Sequence, residues 1–301
     1  MFRDIKLVLS KRLHAKNEKT IRDLAKKWPD DKYLQLMLKS ISQPYVNGVK
    51  MPGFPKADIQ RQFVGSTNER ALREGFGFYQ RVKTMCRSWG TPISEETRIL
   101  DFGCGWGRIS RFFFKDVAKE NFFGVDVDPE MISFCASAMN YGTYATVQPE
   151  PPMAFESSSL DVIFAYSVFS HLAEPVALKW IEEFARVLRP NGILLATTEG
   201  SAFLDFCQSL QQHEGPLEFG WHQGLAKSFI PIEKFKEEHA AGKFLYAPTG
   251  GGGPRDKSFY GEAVIPKKYV EQYYAPFLVL REFIDDPRQH SQALFVMQKH
   301  P

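Results

Sequence analysis

The sequence predicts an α/β fold in which a mostly parallel sheet is covered by helices on both faces. From residue 98 to residue 198, short apolar runs alternate with helical patterns of about 10–15 residues, which is the pattern of a parallel sheet. Near the end of the chain, two further apolar runs at 276–284 and 292–299 are separated by a few turn residues. A short turn of this kind indicates an antiparallel pair, which we place at the edge of the sheet.

The composition excludes several classes of protein. The 301 residues are 44% hydrophobic and 24% charged, which is typical of a globular chain rather than a disordered, collagen-like or coiled-coil one. No apolar run approaches the ~20 residues of a membrane-spanning helix, and the N-terminus lacks the apolar core of a secretory signal. The four cysteines show no metal-binding spacing, so we expect free thiols and a cytoplasmic protein.

The N-terminal region differs from the rest in charge. Residues 1–50 hold 12 Lys and Arg against 5 Asp and Glu, although the whole chain has a net charge of only +3. Apolar residues at helical spacing predict helices here, and Pro and Gly end them by residue 58. We expect residues 1–58 to be a basic helical arm that contacts a membrane surface or a polyanion, or that is simply a solvated helical face.

The remaining residues, 59–301, are predicted to form one catalytic domain. A long helix is expected over 66–89, because Ser66 or Thr67 can cap it and a Gly and a Pro follow it. The alternating region then supplies strands at 98–102, 121–127, 145–147, 160–165 and 193–198, with helices at 109–118, 129–139 and 174–188. Residues 201–262 interrupt the alternation and are predicted to be an insertion over the substrate.

The segment 99–107 carries the chemical signal. An apolar strand contains Asp101, and glycines follow at 103, 105 and 107 before a helix begins. Glycines permit a positive φ and a close approach of a ligand to the backbone, and a helix start offers unpaired N–H groups. The third glycine comes one residue too early for the dinucleotide fingerprint. Asp126, which ends the next strand, stands where ribose hydroxyls are held in nucleotide-binding sheets.

These residues resemble the class I S-adenosylmethionine-dependent methyltransferases. Five blocks carry the resemblance, in family order: 99–107, 124–131, 159–163, 167–172 and 188–192. The resemblance implies a Rossmann-like, seven-stranded sheet whose last strand is antiparallel, which agrees with the terminal strand pair. It also implies that S-adenosylmethionine is the cofactor. We see no cluster of acids for a magnesium ion, so we expect no metal.

The resemblance also assigns the cofactor-binding roles. Gly103, Cys104 and Gly105 would approach the methionine part of the cofactor, and Asp101 would lie beneath the loop. Asp126 would bind the ribose, and Val127 and Gln148 would lie at the adenine. Tyr166 and Ser167 would face the sulfonium and the substrate. Some of these residues have structural alternatives. Asp101 could cap the following helix, Asp126 could be an ordinary exposed acid, and Cys104 and Trp106 could be packing residues.

The catalytic residues are predicted from the needs of the reaction. A neutral hydroxyl is a poor nucleophile and needs a base. His171, near the end of the fourth strand of the alternating region, is the first candidate because its ordinary pKa of about 6.5 suits proton removal, although loop packing is an alternative role. Glu199 is the second candidate. His222 and Tyr260, in the insertion, are candidates for substrate contact.

The acceptor is inferred from the parts outside the core. The segments at 60–82, 260–270 and 292–294 are similar to bacterial methyltransferases found with glycan and secondary-metabolite assembly, which favours a hydroxyl of a sugar or another small molecule. The alternatives are N- or O-methylation of a protein, an RNA or another metabolite, or a non-catalytic cofactor-binding subunit. The run Gly250–Gly253, followed by Arg255, could cradle a phosphate or act as a hinge.

Overall fold

The computed structural model describes residues 19–301, so the first 18 residues of the predicted basic arm lie outside the described residues. The strands are β1 Tyr45–Val46, β2 Val49–Lys50, β3 Ile99–Phe102, β4 Phe122–Asp126, β5 Thr143–Thr146, β6 Leu160–Ala165, β7 Leu188–Thr198, β8 Leu245–Ala247, β9 Glu262–Val264, β10 Val279–Ile284 and β11 Ala293–Gln298. The helices are α1 Ile21–Ala25, α2 Asp30–Lys39, α3 Ala57–Val64, α4 Asn68–Ser88, α5 Ser110–Phe113, α6 Pro129–Ala138, α7 Glu174–Val187, α8 Ser201–Gln211, α9 Gly220–Leu225, α10 Ile232–Ala241 and α11 Lys267–Tyr269.

Seven strands form the central sheet, in the order β10-β11-β7-β6-β3-β4-β5. Strands β3 to β7 are parallel to one another, whereas β11 is antiparallel to both β7 and β10. This topology confirms the predicted α/β, Rossmann-like fold with an antiparallel last strand. The carboxyl ends of β3, β4, β6 and β7 consequently share one edge, and nucleotide-binding sheets use this edge for their ligands.

The alternation of side chains along β3 shows how the sheet is buried on both faces. Leu100 and Phe102 belong to the apolar cluster under α7, where the rings of Phe102 and Trp180 lie 4.5 Å apart. Ile99 belongs to the cluster on the other face, under α4 and α5. A strand that is covered on both faces needs apolar residues at successive positions, and the sequence of β3 and β6 supplies them.

The helix predicted at 66–89 is confirmed as α4, which ends before Gly90. The helix predicted at 109–118 is much shorter, because only Ser110–Phe113 is helical. Three consecutive phenylalanines explain the difference. Phe112, Phe113 and Phe114 are all fully buried, and a regular helix with one buried face cannot bury three successive side chains.

The first described helices pack onto the sheet domain. The Tyr33 hydroxyl donates a hydrogen bond of 2.8 Å to the carbonyl of Arg111, and Lys83 of α4 donates to Asp30 at 2.9 Å. Ile21, Tyr33 and Val49 belong to the same apolar cluster as α4. The boundary at residue 58 stays a prediction, but residues 21–51 share the core of the domain.

The insertion, residues 201–262, has its own small core. Phe203 and Leu204 of α8, Leu225 of α9 and Leu245 of β8 form a separate apolar cluster with Val264. Its last strand, β9, lies beside the carboxyl end of β7, where Val264 forms a parallel bridge with Glu199. The insertion is therefore anchored at the edge of the sheet where ligands bind.

Within residues 19–301, no helix combines the length and the apolar character that crossing a membrane requires.

Candidate functional site

The glycine loop after β3 is held against β4. The backbone N–H groups of Gly103 and Cys104 both donate to the carbonyl of Val125, at 2.8 and 3.0 Å. Gly103 has a φ of 77°, and a Cβ placed on it would lie 2.4 Å from the Cγ2 atom of Val168. Glycine is required here for both reasons. A Cβ placed on Gly105, by contrast, would meet only the Phe63 ring among residues 19–301, at 3.6 Å, so the backbone is open to a ligand.

Asp101 lies beneath this loop. It is only 2% exposed, and the Ser110 hydroxyl donates to its Oδ2 atom at 2.5 Å. Burial raises the pKa of Asp101 to about 7. The contact with the first residue of α5 fits the helix-cap role as well as the predicted orienting role.

Asp126 is an interior acid and not an exposed one. It is 9% exposed, its Oδ2 atom accepts the N–H of Gly105 at 2.8 Å, and its Oδ1 atom accepts the N–H of Asp128 at 2.9 Å. Burial raises its pKa. Each carboxylate oxygen keeps a second lone pair, so the group can also accept hydrogen bonds from two hydroxyls.

The other residues predicted at the adenine and the loop have different surroundings. Val127 is half-buried directly after Asp126. Gln148 is exposed beyond the end of β5, and its side chain has no hydrogen-bond partner among residues 19–301. Cys104 is buried. Trp106 is 1% exposed, and its ring centroid lies 6.1 Å from that of Phe54, so its side chain packs in the core.

Helix α4 packs on Tyr166, the first of a group of residues that we call the acceptor side: Tyr166, Ser167, His171, Glu199, Glu262 and Gln292. The ring of Phe78 meets the ring of Tyr166 edge-on at 4.7 Å. The guanidinium of Arg108 lies 5.2 Å from the same Tyr166 ring and pairs with Glu74 of α4 at 3.1 Å. Tyr166 is therefore fixed between a helix and a cation beside the glycine loop.

Ser167, which follows Tyr166, begins a polar network at the ends of β6 and β7. Its φ is 57°, and its N–H donates to the Thr197 hydroxyl at 2.7 Å. The side-chain amide of Gln292 donates to the Ser167 hydroxyl at 3.0 Å and to Glu199 Oε1 at 2.8 Å. Burial raises the pKa of Glu199 to about 7. Gln292 had no role in the sequence-based site.

His171 has a defined tautomer. Its Nδ1 atom lies 2.8 Å from the carbonyl oxygen of Gly261, and because a carbonyl only accepts, Nδ1 carries the proton. The Nε2 atom then keeps its lone pair, and it has no hydrogen-bond partner in the described part of the chain. The Tyr260 ring stacks on the imidazole, with centroids 4.6 Å apart. Burial lowers the pKa of His171 to about 4, so the ring is neutral near pH 7.

Glu262 is a site residue that the sequence did not indicate. It is 3% exposed, and its Oε1 atom accepts the indole N–H of Trp221 at 2.8 Å. Its Oε2 atom is buried without a hydrogen bond and lies 3.6 Å from His171 Nδ1. Burial raises the pKa of Glu262 to about 8. Because β9 has only three residues and no motif surrounds Glu262, the sequence does not indicate that this acid belongs to the site.

His222 lies in another environment from the one predicted. Its ring meets those of Phe206 and Phe219 edge-on, at 5.5 and 5.2 Å. The neighbouring Trp221, rather than His222, reaches Glu262. The structure therefore brings together His171, Tyr260, Glu199 and Ser167, while His222 belongs to an aromatic group of α8 and α9.

Arg255 follows the glycine run and lies between the two halves of the site. Its guanidinium is 4.5 Å from the Phe63 ring, and its Nε atom is buried without a hydrogen bond. Its charge favours the ionised form of Asp126 and opposes protonation of His171. The glycine run itself is a turn, closed by a hydrogen bond of 2.9 Å from Gly251 N–H to the Arg255 carbonyl.

No group of three His, Cys, Asp or Glu residues among residues 19–301 is arranged to hold a metal ion.

Comparison with known proteins places the central region in a family. Residues 99–192 match the model of a methyltransferase domain. The malonyl-[acyl-carrier protein] O-methyltransferase of Hahella chejuensis is 25% identical over 56% of this chain and 59% of its own length. The enzyme of the same name from Halalkalibacterium halodurans is 30% identical over 52% and 60%. The chain thus spans about 60% of the length of these two relatives.

Among solved structures, an S-adenosylmethionine-dependent methyltransferase from Clostridium acetobutylicum is 12% identical, with a TM-score of 0.49, over 75% of this chain and 92% of that one. The family match and the sheet topology agree. Residues 99–192 therefore match a methyltransferase domain, and the sheet that they help to form has the topology predicted from the resemblance to the class I methyltransferases.

Proposed function

We propose that this protein transfers a methyl group from S-adenosylmethionine to a hydroxyl oxygen of a small molecule, with His171 as the base. The observation that carries the proposal is the tautomer of His171. Its Nδ1–H group donates a hydrogen bond to the Gly261 carbonyl, so the lone pair of its Nε2 atom is available to accept a proton at the carboxyl edge of the sheet. The oxygen is preferred as the acceptor atom because a hydroxyl is the group that needs such a base.

The residues of the loop fit the cofactor. Gly105 leaves its backbone open, and Asp126 holds the loop while keeping lone pairs for ribose hydroxyls. Asp101 lies beneath the loop and Tyr166 at its side. When bound, S-adenosylmethionine supplies a methyl group on a sulfonium. The protein then has to hold the acceptor oxygen in line with that carbon, and alignment of this kind can lower a barrier by roughly 7–11 kcal/mol.

On the acceptor side, His171 Nε2 would accept the proton of the acceptor hydroxyl, whose oxygen takes the methyl group while the electron pair of the broken carbon–sulfur bond stays on sulfur. The low pKa of His171 makes it a weak base, but it keeps the ring neutral and ready at every pH above about 5. An ionised Glu262 at 3.6 Å would stabilise the imidazolium as it forms. Glu199 is the second candidate base, because its pKa of about 7 also suits proton removal.

The proposed acceptor class is supported by the two acids on this side of the site. The relatives above are named for a malonyl substrate, which presents a carboxylate. Here Glu199 and Glu262 would repel a carboxylate when ionised. We therefore propose a hydroxyl of a sugar or a related polar molecule. The support is the hydrogen-bonding capacity of Ser167, Gln292 and Glu199, which suits a polyol.

The direct test is to incubate the protein with labelled S-adenosylmethionine and fractions of small molecules, glycans, lipids and RNA. We expect label in the small-molecule or glycan fraction, and its loss when His171 is replaced. Label confined to RNA or protein would overturn the proposed acceptor. Binding of S-adenosylhomocysteine without any labelled product would favour a non-catalytic cofactor-binding subunit.

We further propose that the protein is cytoplasmic and that its basic residues 1–50 contact a membrane surface or a polyanion. The excess of cations supports this contact. Because residues 21–51 share the core of the domain, the test is to remove residues 1–18 only. Binding to anionic vesicles or RNA should fall steeply with salt and weaken on truncation. Binding that is unchanged by truncation would assign those residues a structural role.

A further inference from the structure

The acceptor side contains a pair of carboxyl groups on one face of the sheet edge. Glu199 directly follows β7 and forms a parallel bridge with Val264 of β9. Because side chains alternate along a strand, Glu262, two residues before Val264, points to the same face as Glu199. The Ile265 N–H also donates to the Glu199 carbonyl at 3.3 Å, which fixes the two segments together.

This pair has no cationic partner of its own. Within residues 19–301, Glu199 has no ion pair, and the only basic group within ion-pair distance of Glu262 is His171, which is neutral near pH 7. The Oε2 atom of Glu262 is buried and accepts no hydrogen bond. A buried carboxyl oxygen without a partner is energetically unfavourable, and the proximity of the two acids raises the free-energy cost of ionising them.

Arg255, whose charge reaches both halves of the site, is not a partner of this pair. The charge of Arg255 acts on Asp126, His171 and Tyr260, whereas neither Glu199 nor Glu262 is shifted by it. A metal ion is also a poor match, because among residues 19–301 no third His, Cys, Asp or Glu joins the pair to complete a metal-binding group. The missing positive charge is therefore best supplied by a ligand.

Aromatic faces accompany the two acids. The Trp221 side chain donates its N–H to Glu262, yet the residue is 50% exposed, so part of the indole is open to solvent beside the acid. The Tyr260 ring covers the imidazole of His171 on the same side. Acids combined with open aromatic faces attract organic ammonium groups through charge and cation–π contacts.

We infer that the acceptor carries a protonated amine, which is bound by the carboxylates of Glu199 and Glu262 and by the face of Trp221, while its hydroxyl lies at His171. This inference rests on the proposed function and specifies its substrate class as amino sugars or amino alcohols. The amine anchors the acceptor, and the hydroxyl is the group that reacts.

The test uses matched compounds that differ only in charge. Two sets serve as probes: glucosamine, N-acetylglucosamine and glucuronic acid, and 4-hydroxybenzylamine, 4-hydroxybenzyl alcohol and 4-hydroxybenzoate. Binding is measured by calorimetry on the full chain with S-adenosylhomocysteine present, and turnover is measured with S-adenosylmethionine. We expect the ammonium member of at least one set to bind about tenfold more tightly than its neutral partner, and the anionic member to bind most weakly.

Substitutions then locate the contact. Glu199→Gln and Glu262→Gln should each remove most of the preference for the ammonium member and leave the affinity for S-adenosylhomocysteine unchanged. Glu237→Gln, at an exposed acid of α10, is the control and should keep the preference. The isosteric change preserves the shape of the side chain, and unaltered cofactor affinity shows that the variants are folded.

Two outcomes overturn the inference. In one, no set shows a preference for its ammonium member, in binding or in turnover. In the other, the preference survives in both Gln variants. If neutral hydroxyl compounds are methylated under these conditions, the proposed function stands and only the amine is wrong. If S-adenosylhomocysteine fails to bind, the proposed function itself is wrong.

Discussion

The Oε2 atom of Glu262 lies 3.6 Å from the Nδ1 atom of His171, and each of the two side chains makes a hydrogen bond to a third residue. Trp221 of the insertion holds the carboxyl, and the backbone carbonyl of Gly261 holds the imidazole. The insertion thus sets the orientation of a histidine that belongs to the sheet domain. This coupling makes the candidate site testable by single substitutions on either side of the contact.

Replacement of His171 by Ala should lower turnover by about 100-fold or more, because a general base contributes roughly 10²–10⁴-fold. Affinity for S-adenosylhomocysteine should stay within about twofold, since the glycine loop and Asp126 are untouched. Steady-state kinetics and calorimetry measure the two quantities. His213→Ala, at an exposed position of the insertion, is the control and should behave like the parent protein. Unchanged turnover in His171→Ala would eliminate this residue as the base.

Replacement of Asp126 by Asn should weaken the binding of S-adenosylhomocysteine at least tenfold and lower the free energy of unfolding by about 1–3 kcal/mol. The carboxylate accepts N–H groups from both Gly105 and Asp128, whereas an amide can accept on only one of its two ends. Calorimetry and urea unfolding provide the measurements. Full affinity in the variant would show that Asp126 does not contribute to the cofactor site.

Replacement of Gly103 by Ala should destabilise the protein by about 1–3 kcal/mol, because the new Cβ would meet Val168 and the φ of 77° is strained for any other residue. Adding Val168→Ala should restore the stability that is lost through the clash, but not the stability that is lost through the strained φ. Gly77→Ala is the control: Gly77 lies within α4 with open space around it, so the change should stabilise by about 0.4–1 kcal/mol. Equal effects at Gly103 and Gly77 would contradict this account.

The free energy of unfolding should fall as the pH rises from about 6.5 to 8. Asp101, Glu199 and Glu262 have folded-state pKa values of about 7, 7 and 8, well above the ~4 of an unfolded carboxyl, so the folded chain binds more protons in this window. His171 acts in the opposite sense, but only below about 6.5, because burial lowers its pKa. Urea midpoints at pH 6.5 and 8 measure the effect, and Glu262→Gln should make it smaller. If the free energy of unfolding falls by the same amount in Glu262→Gln as in the parent protein, the raised pKa of Glu262 does not contribute to the effect.

The sequence predicted the parts of the site that are encoded locally. Asp101, Gly103 and Asp126 follow directly from the order of strand, glycine loop, helix and strand, and the structure places all three at the carboxyl edge. The same holds for the sheet topology, since β-strands and helices alternate with short connections. Gln148 has no such support, because its adenine role came from the family alone and its side chain is exposed.

The remaining site residues depend on contacts that are remote in sequence. Gly261 meets His171 across 90 positions, and Gln292 meets Ser167 across 125. No periodicity or motif encodes such distances, because they depend on how the insertion docks on the sheet. The length of α5 was mispredicted for a related reason. Phe112 and its neighbours are buried by residues that are distant in the sequence, and their burial limits the helix.

The position of Gln292 has a consequence for biosynthesis. Its amide bridges Ser167 and Glu199, and it precedes β11, which pairs with β7 in an antiparallel register from Ala293 to Gln298. During translation, a nascent chain can form β3 to β7 and the glycine loop before this strand emerges from the ribosome. The cofactor side is therefore able to assemble early, whereas the acceptor side is completed only after β11 has been synthesised.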